Sequence, residues 1–536
     1  MQKRPIMLHL ITFLVIAVIA FGALCWVWWG ESWLQAIYEG RFYPFIDDLV
    51  AYHRSLNPGE RTLAFYHKLT ETMLLRLGLL WFITMLLLWL CWPQLKKRIR
   101  RFLTENVSPE QLAVFRILVF GVLLLYPNYT AIFRMSTLPP ELLVPPPGWS
   151  GLLAWLPPTP LGAQISGSLF LLGCLGALVG YRTRFMAVLA TLSGIWFLGI
   201  PQFYGKIDHY HHLLWFSALA AVSPVSDRFS VDAWRKPYTI VRPAGDYARP
   251  LYFLLALMAV IYFFAGWWKL IGGGMAWLWG DAAFLQLETQ ALRTGVTTPV
   301  WLSENDLLKH FLGLSTVLLE LGWGYAMLSK RFRPWVLAAA LFFHGSVYWL
   351  MQINFWQLPV FYLVFLPWGD LLPHTSLKIQ NLYHSRQQAL RWVGGSLLVI
   401  NGLFGLAHFD SWPFAVYPSF GNPPEAKMKR LVLYHEQGGA LEAVDLYHDS
   451  RLRAWLPKTR LQGLQQQLIL TRDESRRQQK VLLLLPFYFR QLNIGKDQPF
   501  LLELQTIHLQ TGQLYARQTL ARSVQQLRLR TDPEEN

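Results

Sequence analysis

A handful of ionisable side chains stand where the chain is otherwise apolar, and these are the groups that could do chemistry. Lys269 closes the run Tyr262-Phe263-Phe264-Ala265-Gly266-Trp267-Trp268-Lys269-Leu270, at the end of an apolar segment that begins near Leu251. A lysine there has two readings. It can snorkel, with its stem in apolar surroundings and its ammonium among headgroups. It can instead be held in a dry pocket, where the charged form is penalised and the amine can act as a base near neutral pH. A second group is Asp208-His209-Tyr210-His211-His212, at the mouth of another apolar run and shortly after Lys206. A third is His344, with Gln352, Asn354 and Trp356 after it. Glu320 lies deep in Leu318-Leu319-Glu320-Leu321-Gly322-Trp323, and Arg116 lies inside another apolar stretch. A carboxyl at that depth is either neutral or paired, and a Glu320–Arg116 pair is one way to supply the partner.

The histidines invite a metal reading, because His209 and His212 are three apart and would give three nitrogen ligands together with His344. Membrane di-iron enzymes repeat such histidine boxes several times, whereas this chain has one. Interfacial histidines also hydrogen-bond headgroups or backbone, and a neutral imidazole serves in acid–base or binding roles. The site is therefore expected to work without a metal. There is no P-loop, no GxGxxG opening a helix, no GxSxG and no HExxH, so the familiar soluble chemistries have no foothold.

The elements that must position these groups follow from composition. Of 536 residues, 53% are hydrophobic and only 15% charged, with 25 Trp and 34 Phe. Soluble proteins are about a quarter charged, so the chain reads as an all-α polytopic membrane protein with aromatic belts. The net charge of +16 lies largely in short loops between apolar spans, which fits membrane orientation and lipid contact rather than nucleic acid. Cys25, Cys91 and Cys174 all sit in apolar segments with no CxxC motif, as small core residues do.

A span needs about twenty apolar residues, and eleven candidates can be counted. They are 5–29, 73–92, 108–125, 161–180, 185–200, 213–223, 252–269, 311–328, 335–351, 355–372 and 392–409. The Ser108-Pro109-Glu110-Gln111 sequence offers a capped helix start for the third. Basic loops at 96–101, 181–184, 228–249, 330–333 and 378–391 alternate with less basic ones. That pattern places the N-terminus in the cytoplasm and puts Lys269, His209 and His344 together at the outer end of the bundle, as the wall of a cavity. Four regions follow: a two-helix segment with an external loop (1–102), a transmembrane core (108–373), a cytoplasmic loop and last helix (374–409), and a small β-rich extracytoplasmic domain (410–536). Runs such as Arg430–Tyr434 and Lys480–Phe489 are expected strands of that last domain.

Tyr262 through Leu270, with Trp277 and Gly280 after it, resembles the segment that carries the catalytic lysine of vitamin K-dependent γ-glutamyl carboxylase, within the wider horizontally transferred transmembrane domain family. Asp208-His209 resembles an Asn-His pair of that enzyme, whose histidine assists the chemistry. Phe343-His344 and Asn354-Phe355-Trp356-Gln357-Leu358 are similar to its His-containing helix and the turn that follows. The resemblance covers roughly 108–373. It implies Lys269 as base and His209 as its assistant, with Tyr262, Trp267, Trp268, Asp208, His212, His344, Asn354 and Trp356 around a quinone or substrate. It further implies reduced vitamin K as the cofactor, with O2 and CO2 as co-substrates. The protein base need only deprotonate the hydroquinone, whose oxygenation then yields the stronger base that glutamate requires.

Departures bear on the expected partner. Asp208 stands where the family has an amide, Trp268 stands where it has a second lysine, and the large lumenal region is reduced to little more than a hundred residues. The leading expectation is an epoxidase coupled to carboxylation of Glu in a secreted peptide or protein. One alternative is a related membrane enzyme with epoxidase or other redox activity on a secreted peptide but no carboxylation. Another is a non-enzymatic lipid-binding or peptide-export protein. The absence of an evident presequence and of a disulfide framework points to a bacterial inner membrane.

Overall fold

The structure is a computed structural model that describes residues 25–42, 50–51, 54, 60–105, 107–236, 239–294, 298–371, 380–382, 387–415, 421, 427–437, 440–471, 473–495, 497–508 and 513–523. The chain divides into two compact units: 94–424 with 454–463, and 1–93 with 425–453 and 464–536.

The larger unit is helical. The long helix α1 (Leu63–Leu103) enters it from the other unit, continuing through Pro93 and the basic run 96–101, so that run is helix rather than the loop expected. Then come α2 (Pro109–Leu125), α3 (Tyr129–Met135), α4 (Pro160–Val179), α5 (Thr183–Phe197) and α6 (His211–Val222). After these follow α7 (Ala244–Gly272), α8 (Met275–Trp279), α9 (Ala282–Thr294), α10 (Asp306–Met327), α11 (Arg333–Met351) and α12 (Gln388–Leu406). The start of α2 is set as its sequence suggests, with the Ser108 backbone N–H donating to Gln111 Oε1 at 3.1 Å and Pro109 in the first turn. Helix α4 ends on Gly180 at φ 74°, where a side chain would collide with the Arg116 guanidinium.

Six helices among the described residues are long and apolar enough to cross a membrane: Leu63–Leu103, Pro160–Val179, Thr183–Phe203, Gly245–Gly272, Arg333–Met351 and Gln388–Leu406. Helices α2 and α3, bent by 52°, make a seventh if they count as one broken span. The count of eleven is thus corrected, for reasons that differ by segment. Most of 5–29 lies outside the described residues. Helix α6 has 12 residues, about 18 Å at the α-helical rise, against a hydrocarbon core of about 30 Å. The 311–328 segment is helical within α10 but does not pass as an apolar span. Segment 355–372 is no long helix: a 3-10 helix at Pro359–Phe365 and a four-residue helix at Trp368–Leu371 lie among its described residues, with Pro359 and Pro367 each removing a backbone donor.

Inside this unit the core is aromatic, with Phe115, Phe120, Phe170, Phe197, Trp215, Phe216 and Trp323 fully buried. Its outer surface stays apolar, with Leu161, Leu192 and Phe342 among the exposed side chains, as lipid-facing helices require. The basic connections are tied together. Arg228 pairs with Glu110 at 3.2 Å, Arg333 pairs with Glu105 at 3.1 Å, and Asp232 accepts from the Arg182 and Thr183 N–H groups at 2.9 Å each. Burial alone would raise the Asp232 carboxyl, but the Thr183 and Arg182 donors hold it below its ordinary value.

The other unit carries a four-stranded antiparallel sheet, in the order β2 (Ala440–Asp445), β1 (Lys427–Gln437), β3 (Phe500–His508), β4 (Leu514–Arg522). Leu431 and Leu433 stand opposite Leu504 and Leu502 in its buried centre. The β-rich expectation holds for this sheet and for 430–434, but not for 480–489. That run lies in the helix Glu474–Leu492, capped by Asp473, whose side chain accepts from the Arg476 N–H at 2.7 Å. Val481, Leu484, Leu485, Tyr488 and Leu492 are buried at helical spacing, so the continuous apolar run was a helix face.

Candidate active site

Helix α7 brings Lys269 inward rather than to a surface. After Lys269 the chain ends the helix at Gly272, and its Gly273 and Gly274 N–H groups bond back to the Lys269 carbonyl at 2.9 and 3.2 Å. Helices α8 and α9 then pack on α10, with Trp277, Ala282, Ala283 and Val317 forming one buried cluster. Lys269 is 2% exposed as a result. Snorkelling is therefore ruled out: the ammonium has no route to headgroups, because the chain that follows covers it.

Its partner is Glu320 of α10. Lys269 Nζ donates to both carboxylate oxygens, at 2.7 and 2.8 Å, and lies 5.2 Å from the centre of the Trp277 ring. This corrects the Glu320–Arg116 pairing. Arg116 lies midway along α2, and its guanidinium reaches the basic connections, donating to the Phe229 carbonyl. The close crossing of α7 and α10 depends on Gly266, one turn before Lys269, where an added Cβ would lie 3.0 Å from Glu320 Cβ and 3.1 Å from Leu321 Cγ.

Lys269 and Glu320 line a cavity of about 150 Å³. Its walls include Ile261, Ala265, Leu312, Val347 and Leu350, and its polar groups include His209, His212, His344, Thr316, Gln286 and Gln357. Four of the expected site residues, Lys269, His209, His212 and His344, therefore meet around one space although they come from three segments of the chain. Gln357 ties the first of those segments, at 209–212, down at two points: its side-chain amide donates to the His209 carbonyl at 3.3 Å, and its backbone carbonyl lies 3.1 Å from His212 Nε2. A carbonyl only accepts, so that contact is a hydrogen bond when His212 carries its proton on Nε2. His344 Nε2 lies 2.6 Å from Tyr262 Oη, which in turn bonds Tyr362 Oη, and Tyr262 stacks on Trp323 at 4.9 Å. His344 Nδ1, though buried, has no hydrogen-bond partner among the described residues. Outside the helices, burial pushes the His209 imidazole down to about 4, with Lys206 adding to that and Asp208 opposing it.

The remaining expected residues stand apart from the cavity wall. Trp267 is buried and stacks on Phe263 at 5.5 Å. Trp268 turns to α12, donating to the Gly405 carbonyl at 2.7 Å and packing on His408. Asp208 pairs with Arg460 at 2.5 Å. Asn354 caps the turn by accepting from the Trp356 N–H at 3.1 Å, and Trp356 packs edge-on against Tyr126. Sequence reasoning missed Glu320 as the lysine's partner, and it missed Gln357 as the bridge. Both were visible as polar residues in apolar company, but nothing in the sequence said which neighbour they met. Among the described residues no group of three His, Cys, Asp or Glu side chains is placed to hold a metal ion.

Neither a curated protein nor a solved structure matches the chain. A family model does match, over residues 105–367, which takes in α2 to α11 and every residue lining the cavity. Residues 105–367 of this chain are an HTTM domain.

Proposed function

We propose that the chain is an integral membrane enzyme that oxidises a reduced naphthoquinone to its epoxide, with Lys269 as base, and couples this to carboxylation of glutamate in a secreted peptide or protein. The observation that carries the reading is a buried amine, paired with a carboxylate, in a largely apolar cavity that also holds three histidines. The apolar walls suit a flat lipid-soluble ring, and the unpartnered Nδ1 of His344 is a polar group left for a ligand. Reduced vitamin K would supply, with O2, the strong base that glutamate needs, the sum being hydroquinone, O2, CO2 and a glutamyl residue giving epoxide, water and a γ-carboxyglutamyl residue.

The chain's own residues do the rest. Lys269 takes a hydroxyl proton only as a free amine, and Glu320 provides for that. A proton passed from Nζ to the carboxylate leaves the pair neutral overall, so the amine is freed without adding a net buried charge. His209 is the second acid–base group, and its depressed value keeps it neutral at physiological pH. Tyr262 holds His344 by its Nε2, and the lipid-facing helices and the α8–α9 cover keep water from the reacting centre. In this reading the basic connections face the cytoplasm of a bacterium, and the site opens outward.

The test is purified protein with reduced vitamin K, O2, bicarbonate and a Glu-containing peptide. Epoxide should form with wild type and disappear with Lys269→Ala. Lys269→Arg should keep a cation against Glu320 but lose epoxide formation by at least about a hundredfold, because a guanidinium does not give up its proton. A folded wild type that forms no epoxide would sink the quinone reading. Epoxide without a gain in peptide mass would leave an epoxidase uncoupled from carboxylation.

A further inference from the structure

The residues just before α6, including His209, are held by a side chain from far along the sequence. Residues 454–463 group with the helical unit, although the chain on both sides of them, 425–453 and 464–536, belongs to the other. This ten-residue stretch is anchored at its start by Arg134 of α3, whose guanidinium donates to the carbonyls of Ala454, at 2.9 Å, and Trp455. Its far end presents Arg460, in the first turn of the helix at Lys458–Leu470, to the 201–210 loop.

Arg460 is 5% exposed and spends its donors on that loop. Nη1 donates to the carbonyls of Pro201, at 3.0 Å, and Lys206, at 3.1 Å. Nη2 meets the Asp208 carboxylate at 2.5 Å and the Tyr210 hydroxyl at 3.3 Å. Gln462 accepts from Lys206 Nζ at 2.8 Å, and Thr459 Oγ1 lies 3.4 Å from Asp208. Within the loop, Gln202 closes the same ring by accepting from the Asp208 N–H at 2.8 Å and donating to Tyr210 Oη at 2.6 Å. The fork therefore binds the residues on both sides of His209, at 208 and 210, and fixes where that imidazole enters the cavity wall.

We propose that Arg460 is a positioning residue for the site: the 454–463 segment straps the 201–210 loop so that His209 faces the cavity. The ring of bonds stands independently of the quinone chemistry, and only its catalytic consequence rests on the proposed function. A planar five-donor fork is suited to bridging two carbonyls, a carboxylate and a hydroxyl at once, which an ammonium cannot do with the same geometry.

The experiment compares amide hydrogen exchange in full-length wild type, Arg460→Gln, Arg460→Lys and Asp208→Asn in lipid nanodiscs, with epoxide kinetics from reduced vitamin K on the same samples. In Arg460→Gln, exchange across 203–212 should rise by about tenfold or more, as loss of charge-assisted hydrogen bonds implies. Exchange in α4 and in strand β1 should not change. Arg460→Lys should recover part of the protection, and Asp208→Asn should loosen the same residues with less than additive effect in the double variant. Epoxide turnover should fall in kcat more than it changes KM. Unchanged exchange at 203–212, or an equal rise throughout the chain, would overturn the strap. Loosening of the loop with kcat and KM both intact would overturn its role in positioning His209. A wild type that forms no epoxide defeats the quinone reading and leaves the exchange result to judge the strap alone.

Discussion

At the scale of single residues, the buried pair of Lys269 and Glu320 governs what the site can do. Each charge is tolerable at this depth only because the other is there, with side chains 3% and 6% exposed. Lys269→Met alone and Glu320→Gln alone should each destabilise the protein by about 3–5 kcal/mol, since each leaves one buried group uncompensated. The double variant should recover much of that loss. Chemical unfolding in detergent measures all four corners of the cycle, and additive losses would show that the pair is not coupled. His209 gives a pH signature. Its folded value near 4 lies below the ordinary 6.5, so the unfolded chain binds a proton that the folded loop refuses. The stability contributed by neutral His209 is complete above about pH 6.5 and is lost as pH falls toward 4. Thermal unfolding between pH 4 and 8 should show that slope in wild type and a shallower one in His209→Gln.

At the scale of elements, the site exists because α7 and α10 cross closely and because α8 and α9 fold back over the crossing. Gly266 permits the first, and Gly313 permits the second, its position lying under the Trp277 carbonyl, where an added Cβ would sit at 2.4 Å. Gly266→Ala meets Glu320 Cβ at 3.0 Å and needs only a small shift, whereas Gly266→Leu must push the helices apart. Overpacking of this kind costs about 1–3 kcal/mol, and the larger substitution should also abolish epoxide formation by separating Lys269 from Glu320. Unfolding midpoints and turnover measured on both variants test the gradation. Equal behaviour of the alanine and leucine variants would contradict it.

At the scale of the whole molecule, the basic connections at 181–184, 228–236 and 330–333 predict orientation, because short Lys- and Arg-rich loops stay in the cytoplasm. Cysteines introduced at Arg235 and Lys330, both exposed, should react with a membrane-impermeant maleimide only after the cells are permeabilised. A cysteine at Glu304, exposed before α10, should react in intact cells. The reverse pattern would turn the site to the cytoplasm and remove secreted peptides as partners.

Much of this was legible in the sequence. Composition and apolar run length determined a membrane protein of helices, and the residues that line the cavity at 209, 212, 269 and 344 could be picked out because charge and imidazole are costly in apolar company. Local capping rules set the start of α2. Tertiary structure decided the rest. Whether an apolar stretch crosses, as at Leu161–Gly180, or breaks into short turns, as at Phe355–Leu372, depends on what satisfies its backbone once proline removes a donor. The partner of Lys269 lies 51 positions away and that of Asp208 lies 252 away, and no spacing rule connects them. Sequence names the groups that cannot stand alone in an apolar interior; only the packing of helices chooses which of them stand together.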